Sequence, residues 1–143
     1  MAASAEAQGT VRMPDTTLAP SETVDVPVTV DGLVGQDVVS WQFDLRYDPA
    51  VLDTVMVEAR GTLAEGRRMT ANTTRPGRIL VAVAGPSPVA SVGVLVTLRL
   101  RGGAPGTTAL RWEAMQFNEG TPEVRTHDGK VVVATPDTSG ASQ

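Results

Sequence analysis

In the stretch Val38 to Leu52, VVSWQFDLRYDPAVL, large apolar or aromatic residues recur at every second position. Trp41, Phe43, Leu45 and Tyr47 share one parity, and Ser40, Gln42, Asp44 and Arg46 share the other. Successive side chains of a strand point to opposite faces, so a period of two predicts a half-buried β-strand with a core side and a polar side. The strand stops at Tyr47-Asp48-Pro49-Ala50, where Pro49 removes a backbone donor and Asp48 can accept a local turn hydrogen bond. The chain must change direction there.

The same alternation runs through most of the sequence. Gly9 to Met13 is a short first strand, and Pro14 to Ser21, broken by two prolines, is a loop. In Thr23 to Val30 four valines face inward, and Pro27, which cannot donate to a ladder, should leave its gap at an edge or toward solvent. That places this strand near an edge. Asp31-Gly32 and Gly35-Gln36-Asp37 then connect to the central strand. Val51 to Ala59 alternates again, Arg60 to Arg67 is a loop with room for one helical turn, and Arg68 to Thr74 with Arg78 to Ala84 flank Arg75-Pro76-Gly77. A Pro-Gly pair fixes one φ and tolerates a positive one, which predicts a hairpin. Its second arm, ILVAVA, is apolar on both faces: either a covered central strand or one with a sticky outer side.

After the proline-containing loop Gly85 to Ser91, Gly93 to Arg101 puts Val94, Val96, Leu98 and Leu100 inward. Gly102 to Gly106 turns the chain. In Thr107 to Phe117, Leu110 and Trp112 have one parity and Met115 and Phe117 the other, so a bulge near Ala114 would return the latter pair to the core. Val124 to His127 and Lys130 to Val133 flank Asp128-Gly129, a strong hairpin signal. About nine short strands cannot lie in one open sheet with an apolar face exposed, so the prediction is an all-β sandwich of two packed sheets.

At 143 residues the chain suits one domain, with residues 1–8 an N-terminal tail, 9–134 the sandwich and 135–143 (TPDTSGASQ) a polar linker stub. A net charge of −4 disfavours nucleic acid and anionic membrane surfaces as partners. There is no apolar run of membrane-spanning length, and Met1 to Gln8 is too short and polar for a signal peptide. With no cysteine, thiolate metal sites, disulfides and cysteine nucleophiles are excluded.

Catalytic chemistry finds little support. His127, the single histidine, stands beside the Asp128-Gly129 turn without a Gly-x-Ser-x-Gly motif or a second histidine. Asp44, Asp48 and Asp53 match no calcium-loop spacing, Asp48 being explained by its turn. Gly102-Gly103 precedes no helix or lysine, as a phosphate loop would, and Gly66-Arg67-Arg68 reads as a solvated loop end. The chain is therefore expected to be no enzyme.

A strand ending aromatic-Asp-Pro-x-x-Leu, here Tyr47, Asp48, Pro49 and Leu52, between two valine-rich strands, resembles the cohesin domains of extracellular scaffolding proteins. The order of strands and turns is similar from about Gly9 to Val133. The resemblance implies a nine-stranded sandwich of jelly-roll topology on an extracellular or cell-surface protein. It also implies a non-catalytic role: gripping a dockerin, a small helical module that carries its own calcium, on one face built from the third, fifth, sixth and eighth strands. No cofactor would sit on this chain.

Carried onto this sequence, that face comprises Ser40, Gln42 and Asp44 on the third strand and Thr70, Asn72 and Thr74 on the fifth. The sixth supplies Leu80, Ala82 and Ala84, or Val83 if its parity is reversed, and the eighth Arg111 and Glu113. Two positions depart from the commonest pattern: Ser40 and Gln42 replace a frequent Asn and Asp pair, and Pro86 stands near a usual acidic position. Rival readings are a carbohydrate-binding module, which normally needs an exposed aromatic platform, and a structural spacer or adhesin domain. A monomer or weak homodimer is expected, the latter through pairing of sheet edges.

Overall fold

The alternating segments pair into two face-to-face sheets in the computed structural model, which describes residues 9–32, 38–85, 88, 93–118 and 124–135. Eleven strands are assigned: β1 (Gly9–Arg12), β2 (Thr16–Leu18), β3 (Thr23–Asp31), β4 (Ser40–Arg46), β5 (Leu52–Glu58), β6 (Arg68–Asn72), β7 (Arg78–Ala84), β8 (Gly93–Gly102), β9 (Gly106–Phe117), β10 (Val124–His127) and β11 (Gly129–Val133). The smaller sheet runs β10-β1-β3-β8-β5 and the larger β2-β11-β9-β4-β7-β6. This is the expected jelly-roll sandwich, and among the described residues no helix is assigned.

The strand count differs from nine because the first and last strands each change sheets. β1 pairs with β10, and β2 pairs with β11, both in parallel. Residues 14–21, expected to be a loop, instead contain β2. Asp128-Gly129 is not a hairpin turn either, since β10 and β11 belong to different sheets and never pair with each other. Its glycine serves a close crossing: a Cβ on Gly129 would lie 3.1 Å from Met13 Cβ and 3.3 Å from the Pro14 carbonyl oxygen. Asp128 Oδ1 accepts from the Trp112 amide at 3.0 Å, and the His127 carbonyl accepts from Trp112 Nε1 at 2.9 Å.

Pro27 shows a similar division between correct chemistry and wrong placement. β3 lies inside its sheet, between β1 and β8, not at an edge. β1 nevertheless reaches only as far as Thr29, so at Pro27 that flank is open and the residue pairs only with Thr97 of β8. The missing donor meets a gap left by the strand that departs to the other sheet.

One apolar cluster fills the space between the sheets, with Trp41, Phe43 and Leu45 of β4 each 3% exposed or less. Phe43 meets Trp112 edge to face, with ring centroids 5.2 Å apart. The β4 terminus behaves as its residues dictate: Asp48 Oδ1 accepts from the Ala50 amide at 2.9 Å, and the Asp48 amide donates to Thr108 Oγ1 at 2.7 Å. The β6–β7 hairpin forms, with Gly77 at φ 84°. The segment 60–67 makes successive tight turns without a helix, and Arg67 is not a solvated loop end. Its guanidinium covers the Trp41 ring at 5.8 Å and donates to the Leu63 carbonyl at 3.2 Å. The expected connection at Gly35-Gln36-Asp37, most of the 86–91 loop with Pro86, and both tails outside 9–135 fall outside the described residues.

Candidate partner-binding face

Strand register assembles the outer face of the larger sheet as rows. Gln42 stands opposite Ala82 on one side and Gln116 on the other, and Ala82 opposite Thr70. In the next row Asp44 lies between Leu80 and Ala114, with Asn72 beyond Leu80. On the other side of the Gln42 row, Ser40, Ala84 and Arg68 align. Beyond Arg78 the outward residues of β7 are Leu80, Ala82 and Ala84, while the neighbouring strands β4 and β6 carry polar groups, so the sheet is depressed there. The result is an apolar-floored groove of about 470 Å³. It continues into a second hollow of about 220 Å³ toward Ser40, Ala84 and Arg68.

Polar groups fix the walls. Gln42 Nε2 donates to Gln116 Oε1 at 3.1 Å across β4 and β9. Asp44 accepts from Arg78 (Nη2 at 2.9 Å, Nε at 3.3 Å) and from Arg46 (Nε at 3.2 Å). Burial works against the Asp44 charge, but the hydrogen bonds from Arg78 and Arg46, together with their charges, outweigh it and hold the carboxyl below its ordinary range. The groove is bordered by a fixed ionic corner.

Eight of the sequence-derived positions come together here: Ser40, Gln42, Asp44, Thr70, Asn72, Leu80, Ala82 and Ala84. Val83 does not. It is 2% exposed and part of the core, so β7 has the other parity. Thr74 lies past the end of β6, in the turn, where its amide and hydroxyl donate to Asn72 Oδ1 at 3.1 and 2.8 Å. Arg111 and Glu113 sit midway along β9, their charged atoms 3.8 Å apart, Arg111 in the row of Arg46 and both off the groove floor.

Ala114, Gln116 and Arg46 were missed. The signal existed: pairing steps from Leu45 with Trp112 to Asp44 with Ala114, leaving Glu113 as the extra residue of a bulge. The bulge that returns Phe117 to the core, 0% exposed, necessarily turns Ala114 and Gln116 outward.

The opposite outer face, on the smaller sheet, is closed by its own charges. Arg99 reaches Asp25 at 3.0 Å and Glu58 at 3.7 Å, Arg101 reaches Asp53 at 3.8 Å, and Arg12 reaches Asp31 at 4.0 Å. Among the described residues no aromatic platform is present on either face: Trp41, Phe43 and Phe117 are buried, and Trp112 and Tyr47 are half-buried. Among the described residues no group of three or more His, Asp or Glu side chains is arranged to hold a metal ion, and no helix is long and apolar enough to cross a membrane.

A family model described as the cohesin domain matches residues 9–141. The chain belongs to the cohesin family. Cohesin domains are interaction modules, not catalysts. Among solved structures this cohesin is similar to one from Clostridium acetobutylicum determined in solution: 24% identity, 94% of this chain and 96% of that one, TM-score 0.74. It is also similar to a non-cellulosomal cohesin from the archaeon Archaeoglobus fulgidus, at 16% identity over 96% and 99% of the two chains, TM-score 0.72. A chain of a type I cohesin–dockerin complex from Clostridium thermocellum matches at 15% identity over 91% and 96%, TM-score 0.76. At such identities the likeness shows the fold. No curated protein sequence matches.

Proposed function

We propose that this cohesin binds a dockerin through the outer face of its larger sheet, the dockerin carrying calcium while this chain carries no cofactor. The observation that carries the reading is the groove over β9, β4, β7 and β6: a floor of Leu80, Ala82 and Ala114 between polar walls. Small apolar side chains on a rigid sheet admit a partner helix closely, and little entropy is lost in ordering them. The flanking amides, Gln42 and Gln116 on one side and Asn72 on the other, set the helix register. Solved relatives are recorded in complexes with dockerins. Their setting supports an extracellular or cell-surface location for the parent of this chain.

Calorimetry against dockerin modules encoded in the same genome tests the reading. Binding that disappears on adding a chelator is expected, since the partner folds around calcium. Binding that survives the chelator, or no binding by any of them, would sink it. In the second case a spacer domain would be the better account.

A further inference from the structure

Across β7, β4 and β9 the register sets Arg78, Arg46 and Arg111 in one row, each directly opposite the next. All three side chains point outward, because Ile79, Leu45 and Leu110 beside them are buried. Like charges directly opposite one another on a sheet are unfavourable, so the row has a standing electrostatic penalty. Two carboxylates serve the three arginines: Asp44 is shared between Arg46 and Arg78, and Glu113 lies 3.8 Å from Arg111. Arg111 remains 58% exposed and Arg46 39%.

The imbalance belongs to this sheet. Its strands carry five cations, Arg46, Arg68, Arg78, Arg111 and Lys130, against two anions, Asp44 and Glu113. The strands of the smaller sheet carry Arg12, Arg99, Arg101 and Arg125 against Asp25, Asp31, Asp53 and Glu58. A chain of net charge −4 thus turns a basic face outward at its groove and keeps its acidic excess in the loops and tails.

We propose that the arginine row is the charged subsite of the groove, and that the helix docking there presents one or more carboxylates to Arg46 and Arg111. This rests on the dockerin reading and specifies the partner's chemistry: an acidic recognition helix with apolar residues on Leu80 and Ala82. A helix laid along β4 and β7 rises about 1.5 Å per residue, against about 3.3 Å per strand residue. Its carboxylate therefore stands about one turn from an apolar side chain over Leu80 and about two turns from one over Ala82. Guanidinium groups suit the task, since they bind carboxylates in a fixed two-pronged geometry.

The experiment is calorimetry of wild type, Arg46→Glu/Arg111→Glu and Ala82→Arg against the same dockerin panel at low and moderate salt. Wild-type affinity should fall as salt rises, and the double charge reversal should weaken binding by about tenfold or more. Reversing an Asp or Glu of the bound dockerin's helix to Arg should restore binding to the doubly reversed chain. If Ala82→Arg abolishes binding while the double reversal leaves it unchanged or strengthens it, the subsite assignment is wrong and the groove stands. If no dockerin binds the wild-type chain, both readings fall. Circular dichroism of the double variant checks folding; should it be unfolded, Arg46→Gln/Arg111→Gln takes its place, with the salt dependence expected to flatten.

Discussion

The two outer faces of this sandwich are built from strands of the same alternating pattern, yet one is open and the other shut. On the smaller sheet each outward arginine of the central strands has an aspartate or glutamate on a neighbouring strand, as in Arg99 with Asp25 and Glu58. Such a face is satisfied by its own ion pairs, and covering it would cost their desolvation. On the larger sheet the centre is Ala82, Leu80 and Ala114, with amides around it and, at one end, a row of arginines that outnumber their carboxylates. Burying that surface removes apolar area from water and can answer that excess of arginines. What separates the two faces is therefore where the small apolar residues and the excess of arginines over carboxylates fall, not how polar the strands look.

Matched substitutions on the two faces can break this contrast. The largest effect is expected from Ala82→Arg, which fills the groove: dockerin affinity should drop by more than about 100-fold, as for the centre of an interface. Thr97→Arg, the same change on the other sheet, should leave affinity as it was. Equal losses from both would show that neither face is special. Next, Leu80→Ala should weaken binding by about tenfold, about 1.4 kcal/mol. Met56→Ala, which removes the exposed apolar side chain of β5, 49% exposed, should not alter it.

Acid distinguishes the ionic corner of the groove from the ladder opposite. The Asp44 carboxyl is held below its ordinary value of 3.8, so its charged form stabilises the fold above that pH. The contribution is lost as pH falls below about 3.8 through the lowered folded-state value. Urea midpoints of wild type and Asp44→Asn should accordingly differ near neutrality and converge in acid. A gap that persists well below that pH would assign the effect to packing instead. The smallest effect is expected from Arg99→Ala: exposed ion pairs contribute little, so its midpoint and its dockerin affinity should both match wild type. A large shift in either would mean that the smaller sheet's face does more than stay solvated.

Much of this was legible in residue order, because a period of two specifies which side chains turn inward wherever a strand is half buried. β4, the β6–β7 hairpin and a bulge near Ala114, found one residue earlier at Glu113, all followed from parity and turn chemistry. Parity does not say which sheet a strand joins. Residues 14–21 and Asp128-Gly129 were misread for that reason: β2 has three residues, too few to show a period, and Asp-Gly suits a crossing as well as a hairpin. The outward residues that β4, β6 and β7 give the groove were legible, but those of β9, Ala114 and Gln116, were not, and β7, apolar on both sides, left Val83 ambiguous until burial decided it. Choosing that face over the other rested on the cohesin resemblance. The arginine row was invisible in sequence because Arg46, Arg78 and Arg111 become neighbours only through register.

The sheet-switching first and last strands also decide how the chain answers tension. β1 lies parallel to β10 and β2 parallel to β11, so the chain enters at the start of one strand and leaves at the end of its partner's continuation. A pull on both ends drags β1 backward and β11 forward, sliding the paired strands along each other instead of peeling them apart. Ladder hydrogen bonds lie across that direction and must yield together, so unfolding under load is set by one high barrier. Single-molecule stretching from the two ends should therefore show one abrupt rupture, and a staircase of small steps would contradict it. Under such a load the groove would hold its shape while the ends of the chain are drawn taut.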